Sequence, residues 1–543
     1  MPLVKAIEEN FNFLVIEVEK QIEDTLKILK NNQSQQICEK IEARDDYIDS
    51  LKNIIENKAA SFFLSTEKID KKIITYIRAL TIITSNLENI ADYAVNIMSQ
   101  TKFFTREYFL EDYNYKIFLK KISDSLSVLT KSVYQRDINI ALDICKVEVE
   151  LDRSYSEIIA DIIKKLAAGK EAENLITTLF IFQYFERIGD SLLNIGEAIM
   201  SIMLGERIKI HQYEAISDTV TTPPEDHEYE IEPVAESRSG NIIRRVKETA
   251  FENPNWVIFK EGKALKIDKE KAGLELWSSI DPDIVPKIYG YEKKDDNAAI
   301  VIEFLKGRTL KDLVINNSKE YLSNVLKMFI KNVIYYWNKT MEIQQISPTY
   351  FKQINKRISD VYTVHPNFKS ESSYIGDIEI MSLDKMINAA SFLDLEIKVP
   401  FSVIVHGDFN LDNVIFNEEY KKFYYIDLQR ARRADYVQDV SVFLVSNFRL
   451  PFFEKDIRSK INHVILSFYK AILEFAKSNN DSTFKARLTA GLIRSYITST
   501  RFELNEDFAK LMYLKAIYLL ENILNYKQEN WEDFNLREEI LIY

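Results

Sequence analysis

Apolar residues recur at three- and four-residue spacing through the first 206 positions of the chain. The stretch FNFLVIEVEKQIEDTLKILK is typical: an aliphatic stripe alternates with Glu and Lys, which is the pattern of amphipathic bundle helices. Pro2 is the only proline of this region, and breaks at Asn31-Asn32-Gln33, Ser65-Thr66, Leu110 to Asn114 and Ala168-Gly169 predict about six helices. The pattern then changes. Residues 217–240, SDTVTTPPEDHEYEIEPVAESRSG, combine Pro223-Pro224 with an acidic cluster and read as a linker between patterned regions. Short β-rich runs follow (IIRRVKETAF, WVIFKEGKALKI, AAIVIEF), and beyond residue 309 the spacing is helical again, interrupted by strands around VIVHGD and FYYIDL. The expected fold class is multidomain: an all-α six-helix bundle followed by an α+β domain.

The helical region repeats itself. ALTIITSNLENIADYAVNIM, residues 79–98, aligns without gaps on TTLFIFQYFERIGDSLLNIG, residues 177–196. Glu88, Asp92 and Asn96 thereby match Glu186, Asp190 and Asn194, so the bundle is expected to hold two three-helix repeats, at about 1–105 and 110–206. Each copy carries an earlier acidic pair, Asp45 with Asp49 and Glu148 with Asp152. Positions four apart on a helix advance by about 40°, so these acids form slowly drifting polar stripes. Leu87, Ile90, Phe185 and Ile188 flank them and withdraw water, which is unfavourable unless something positive neutralises the carboxylates. Hard, oxygen-liganded cations or iron would serve.

On these residues the region resembles the PhoU family of phosphate-uptake regulators, whose helices carry E/D-K-x-x-D motifs. Here the motifs are Asp45–Asp49, Glu88–Asp92, Glu148–Asp152 and Glu186–Asp190, and only the last has a basic residue, Arg187, at the second position. The resemblance implies a metal, iron or zinc, held by these eight residues, and partners among phosphate transporter or sensor kinase components.

Composition narrows the class. A 46% hydrophobic, 28% charged chain is ordinary for a globular protein, and a charge of −12 argues against a general nucleic-acid binder. Cys38 and Cys145 lack CxxC spacing, which fits a reducing cytoplasm. No apolar run approaches the roughly 18 residues of a membrane span, and the first twenty residues make a poor signal peptide. A cytoplasmic location is expected. The oligomeric state is not legible in the sequence.

The second half carries phosphotransfer chemistry. Phosphoryl transfer needs the nucleotide phosphates held, a metal to neutralise them, and a carboxylate near the attacking hydroxyl. In VIVHGDFNLDNVIF, Asp408 can orient or deprotonate an acceptor hydroxyl, and Asn413 can reach a metal from the far end of the same loop. Asp427 follows on the strand FYYIDL as a second metal ligand, completing an H-x-D-x-x-x-x-N plus strand-Asp set, with Asp439 later. Upstream, Lys266 near the end of the strand KALKI is the candidate for the α- and β-phosphates. Glu270 orients it from the helix that follows, with Glu275 as the alternative, and Leu274 and Trp277 share Glu270's inward face. Backbone groups at Glu303, Phe304 and Leu305 are expected to meet the adenine, and Ser239 and Gly240 to cover the phosphates.

These residues resemble the aminoglycoside phosphotransferase and choline kinase group. HGDFNLDN matches its catalytic loop, IDLQ its metal segment and IEFLKGRTL its hinge, although Asn410 stands where histidine is frequent and Asp412 where a small residue is usual. The resemblance implies a bilobal protein-kinase-like fold, ATP and Mg²⁺, Asp408 as catalytic base, Asn413 and Asp427 as metal ligands, and His406 and Asp439 as braces. Domain boundaries are expected at 1–210 for the bundle, 211–228 for an acidic linker, 229–308 for the N-lobe and 309–543 for the C-lobe.

Only twelve positions separate Asp427 from Asp439 and no Ala-Pro-Glu follows, which favours a small-molecule acceptor over a protein. Arg430, Arg432 and Arg433 could attract an anionic substrate. The leading expectation is an ATP-dependent phosphotransferase acting on a small hydroxylated molecule and coupled to phosphate status or metal by the bundle. The alternatives are a phosphate-signalling adaptor in which nucleotide binding is a switch and, by fold analogy, an aminoglycoside resistance enzyme.

Overall fold

The computed structural model describes residues 2–31, 35–65, 70–169, 171–206, 208–210, 212–213, 229–233, 242–248, 256–294, 296–526 and 530–543. Contacts divide the chain into two units, Met1–Phe259 and Lys260–Tyr543. Most of the 211–228 linker lies outside the described residues, as do Ser239 and Gly240.

In the first unit the apolar stripes become six long helices: α1 (Pro2–Asn31), α2 (Gln35–Ser65), α3 (Lys71–Gln100), α4 (Tyr115–Gln135), α5 (Ile138–Ala167) and α6 (Ala172–Leu204). Phe11, Leu14 and Val18 of α1, Leu87 and Ile90 of α3, and Phe185 and Ile188 of α6 are buried, as their spacing requires. Helices α1 to α3 pack on one another, α4 to α6 do the same, and the repeats meet through α3 against α6 and α1 against α4. The turn between α4 and α5 is absent from the breaks that the sequence suggests. Arg136 adopts a left-handed conformation there (φ 54°), and Asp137 caps α5 by accepting from the backbone N–H groups of Asn139 (2.9 Å) and Ile140 (3.4 Å). Strand β1 (Tyr229–Pro233) pairs antiparallel with β2 (Ile242–Glu248), so part of the 217–240 stretch is a strand and not linker.

Strand β3 (Trp256–Lys263) leads into the second unit and runs directly into α7 (Ala264–Ile280). Next come the antiparallel pair β4 (Ile288–Lys294) and β5 (Asn297–Glu303), then β6 (Arg308–Thr309). Helices α8 (Leu310–Asn316), α9 (Lys319–Thr340), α10 (Tyr350–Asn355) and α11 (Ile358–Val364) follow. A small hairpin, β7 (Ser373–Ile375) and β8 (Ile378–Ile380), precedes the short helices α12 (Leu383–Ala390) and α13 (Leu393–Glu396). The functional segment holds β9 (Val403–Val405), β10 (Val414–Asn417), β11 (Lys422–Tyr425) and β12 (Arg432–Ala434). β10 lies between β11 and β6, and β9 pairs with β12. The chain closes with α14 (Val437–Phe448), α15 (Lys455–Ser478), α16 (Phe484–Thr500) and α17 (Glu506–Leu524). Phe329 of α9 stacks on Phe409, on Phe443 of α14 and on Phe468 of α15, so an aromatic core sits directly beneath the loop after β9. Among the described residues, no helix is long and apolar enough to cross a membrane.

Candidate active site

The loop from His406 to Asn413 is held from three sides. Asp439, in the first turn of α14, accepts from the backbone N–H groups of His406 and Gly407, both at 2.8 Å. Burial pushes its carboxyl up to about 7, against the pull of those two bonds and of Arg494. His406 is buried, and burial holds its imidazole below the ordinary pKa. Its Nε2 lies 2.9 Å from the carbonyl of Ile426 and its Nδ1 3.3 Å from the backbone N–H of Asp408. A carbonyl can only accept and an amide N–H only donate, so the ring is neutral with its proton on Nε2. At the far end, Asn413 donates its amide to the Asp408 carbonyl at 2.9 Å, which turns Oδ1 the other way. Gly407 has φ 82°, and a Cβ there would lie 2.3 Å from the Arg430 carbonyl oxygen; only glycine lets the two loops meet.

Asp427 comes to the same place just after β11, and the backbone N–H of Ile426 beside it donates to the Asn413 carbonyl at 3.1 Å. The strand ends at Tyr425, so Asp427 lies two residues past it and not on it as the pattern of FYYIDL suggests, and Asp427 itself takes a left-handed conformation, φ 59°. Such a conformation costs a non-glycine residue about 1–2 kcal/mol, tolerated best by Asn and Asp. Gln429 donates to Asp427 Oδ1 at 3.1 Å and fixes the carboxylate. Arg430 forms an ion pair with Asp408 at 3.1 Å. Arg432 instead donates to Gln438 at 2.9 Å, and Arg433 pairs with Glu342 at 2.7 Å, so only the first of the three arginines faces Asp408.

The lysine expectation needs correction. Lys266 is not on a strand: α7 begins at Ala264 and places Lys266 in its first turn. Glu270 pairs instead with Lys260 of β3, and both side chains are buried, at 2% and 8% exposure. Burial pulls the Lys260 ammonium down, but Glu270 and then Asp427 outweigh it and hold its pKa above the ordinary value. The link to Asp427 joins this pair electrostatically to the segment after β11. Leu274 and Trp277 are buried on the same face of α7 as Glu270, as expected, whereas Glu275 pairs with Lys271 on the exposed side. Gly273 lets α7 touch that segment: a Cβ there would sit 2.0 Å from the Leu428 carbonyl oxygen. Glu303 ends β5, with its backbone N–H bonded to the Lys287 carbonyl at 2.9 Å, and Phe304 and Leu305 follow.

In the bundle, carboxylate oxygens of Asp49, Glu88 and Asp92 lie within 4.8 Å of one another. Burial, followed by the charges of Asp92, Asp49, Asp46 and Glu88, raises Asp45 to about 6. Lys52 offsets part of this charge through an ion pair with Glu88 at 2.9 Å. In the second repeat, burial and mutual repulsion raise Glu148, Glu186 and Asp190, with Asp152 among the neighbours that push each of them up. Among the described residues these four do not form a group as close as the first. An all-oxygen donor set suits hard cations or iron better than zinc, whose sites draw on His and Cys.

Two separate families match the chain. The PhoU domain matches residues 16–101 and 118–199, and the Ecdysteroid kinase-like family matches residues 317–478. A PhoU homologue of the phosphate-specific transport system from Clostridium acetobutylicum is 28% identical over 199 residues, covering 36% of this chain and 89% of the relative. A second homologue, from Thermotoga maritima, is 25% identical over 217 residues, covering 38% and 89%. Among solved structures, PhoU from Pseudomonas aeruginosa is similar with a TM-score of 0.35 at 16% identity, covering 38% of this chain and 99% of that one. Choline kinase from Cryptosporidium parvum scores 0.36 at 13% identity, covering 58% and 96%. A PhoU domain thus occupies the N-terminal region and an ecdysteroid kinase-like domain the C-terminal region.

Proposed function

We propose that the C-terminal unit transfers the γ-phosphoryl group of ATP to a hydroxyl of a small molecule, and that the PhoU domain ties this activity to phosphate status or metal. The observation that carries the proposal is the convergence of Asp408, Asn413 and Asp427 on one braced loop, with the buried Lys260–Glu270 pair linked electrostatically to Asp427. Lys260 would hold nucleotide phosphate, and the backbone at Glu303 to Leu305 would meet the base. Asn413 and Asp427, which offer the oxygen donors Mg²⁺ prefers, would hold that ion, whose charge neutralises the phosphate oxygens. Asp408 orients the acceptor hydroxyl and takes its proton as the hydroxyl oxygen bonds to phosphorus and the bond to ADP breaks. His406 and Asp439 touch no reactant; they fix the backbone from which Asp408 projects.

The test is ATP consumption and product formation by the full chain and by Asp408→Asn and Asp427→Asn variants. A positioned base contributes about 10²–10⁴-fold, so turnover should fall by that order in Asp408→Asn while ATP still binds. Turnover unchanged in both variants would refute the assignment. If Asp408→Asn retains nucleotide binding and normal phosphate regulation in cells, the domain acts as a nucleotide-dependent switch and not through its product.

A further inference from the structure

An arginine stripe on α16 points to the acceptor's chemistry. Arg487, Arg494 and Arg501 follow one another at seven-residue spacing, two helical turns, which returns each to nearly the same face. The first is fully buried and doubly neutralised, pairing with Asp435 and Asp481. The second, Arg494, is only 5% exposed, yet among the described residues no carboxylate pairs with it. Its guanidinium donates to the Ser441 hydroxyl at 3.3 Å and lies 5.8 Å from the centre of the Tyr350 ring, while its Nε has no partner among the described residues. The third, Arg501, at the C-cap of α16, pairs with the exposed Asp360 at 3.4 Å, and its Nε is also buried without a partner among the described residues.

Two more arginines complete the group. Arg357, at the start of α11, is half-buried, and among the described residues its guanidinium has no hydrogen bond or ion pair. Arg430 pairs with Asp408. Arg357, Arg494 and Arg501 all feel the charge of Asp408, and among the described residues only Asp408 and Asp360 form ion pairs with these three and Arg430. Asp439 also feels Arg494, but both of its oxygens are already bonded to the backbone of His406 and Gly407. The crowding is felt on the arginines: burial, with Arg357 and Arg430 adding to it, lowers Arg494 to about 10, and burial followed by Arg430 lowers both Arg357 and Arg501.

A protein buries an arginine when something negative meets it, as Asp435 and Asp481 meet Arg487. The charges acting on Lys260, which would hold nucleotide, are Glu270 and Asp427, whereas those acting on the arginines include Asp408, the residue that would face the acceptor. We infer that the acceptor is an anion: a hydroxylated small molecule bearing a carboxylate or phosphate group, which Arg357, Arg494 and Arg501 clamp while its hydroxyl faces Asp408. This rests on the phosphotransferase assignment above and names its substrate class.

The experiment uses the full chain with ATP and Mg²⁺ and four probes of one skeleton: glycerol, glycerate, glycerol 3-phosphate and the cationic 2,3-dihydroxypropyl-trimethylammonium. Turnover and calorimetric binding are both measured. Binding confined to the anionic members is expected, and glycerate against glycerol 3-phosphate distinguishes carboxylate from phosphate. Each lost charge-assisted contact should raise KM, or the dissociation constant, by about tenfold to a hundredfold with kcat little changed. Arg357→Gln is the main variant because its side chain has no structural partner; Arg494→Gln and Arg494→Lys follow. The inference is overturned if the neutral or cationic probe is preferred, if no anionic probe binds at 10 mM (about the weakest useful affinity), or if Arg357→Gln binds the anions as wild type does. Anion binding that Arg357→Gln removes, without turnover of any probe, would uphold the anion pocket and count against the phosphotransferase assignment.

Discussion

Replacing Lys260 by Met separates two consequences of one buried ion pair. The Lys260 and Glu270 side chains are 8% and 2% exposed, so removing the ammonium leaves a carboxylate with almost no access to water. Breaking a buried pair from one side costs about 3–5 kcal/mol, whereas replacing both partners by apolar residues is often close to neutral. Lys260→Met should therefore destabilise strongly, and Lys260→Met with Glu270→Leu should recover most of the loss. The four tryptophans, Trp256, Trp277, Trp337 and Trp531, all follow residue 255, so tryptophan fluorescence in a urea titration reports on the kinase-like part while the bundle is silent. With a slope of about 3 kcal/mol/M, the single variant's midpoint should fall by about 1–1.7 M. Turnover should be lost in both variants, since neither retains the phosphate-binding ammonium. Lys266→Ala, by contrast, should leave turnover near wild type. A double variant no more stable than the single one, or turnover abolished by Lys266→Ala, would show that the pairing has been read wrongly.

Gly273→Ala drives a Cβ into the Leu428 carbonyl and should cost about 1–3 kcal/mol; calorimetric titration should show Mg²⁺–ATP affinity falling with it, and an unchanged affinity would mean the loop yields freely. In the bundle, the raised pKa of Asp45 means that the folded state binds a proton more tightly than the unfolded chain, so metal-free stability should decline as pH rises from about 4 to 6. Mn²⁺ or Fe²⁺ should replace that proton, and the cation-induced rise in Tm, followed by circular dichroism, should be larger at pH 7.5 than at pH 5. An equal rise in an Asp49→Asn, Asp92→Asn variant would remove these residues from the cation's ligands.

What the sequence revealed follows from how local each feature is. The bundle helices were legible because each buries one continuous stripe, and the catalytic loop because Asp408 and Asn413 lie five residues apart. Lys260 was hidden for two reasons. Phe259, Lys260 and Glu261 are buried in succession, so β3 lacks the alternation that marks a strand's inward face. The strand also enters α7 at Lys263 with no side-chain cap or proline, and Gly262 is the single break signal before the change, although Ala264, Ile267, Glu270, Leu274 and Trp277 already recur at helical spacing. The turn at Arg136-Asp137 carries a visible signal, an aspartate at the capping position. Arg357, Arg494 and Arg501 carried none toward Asp408: the regular spacing on α16 is visible in the chain, but packing alone decides which of those arginines finds a carboxylate.

The contact between Gly273 and Leu428 has a consequence for control. With no side chain between helix and loop, Glu270, which holds Lys260, and Asp427 sit on two segments in direct backbone contact. On the proposed assignment, a shift of either segment would disturb the grip on nucleotide and the grip on metal together, so a regulator would act on both through a single lever.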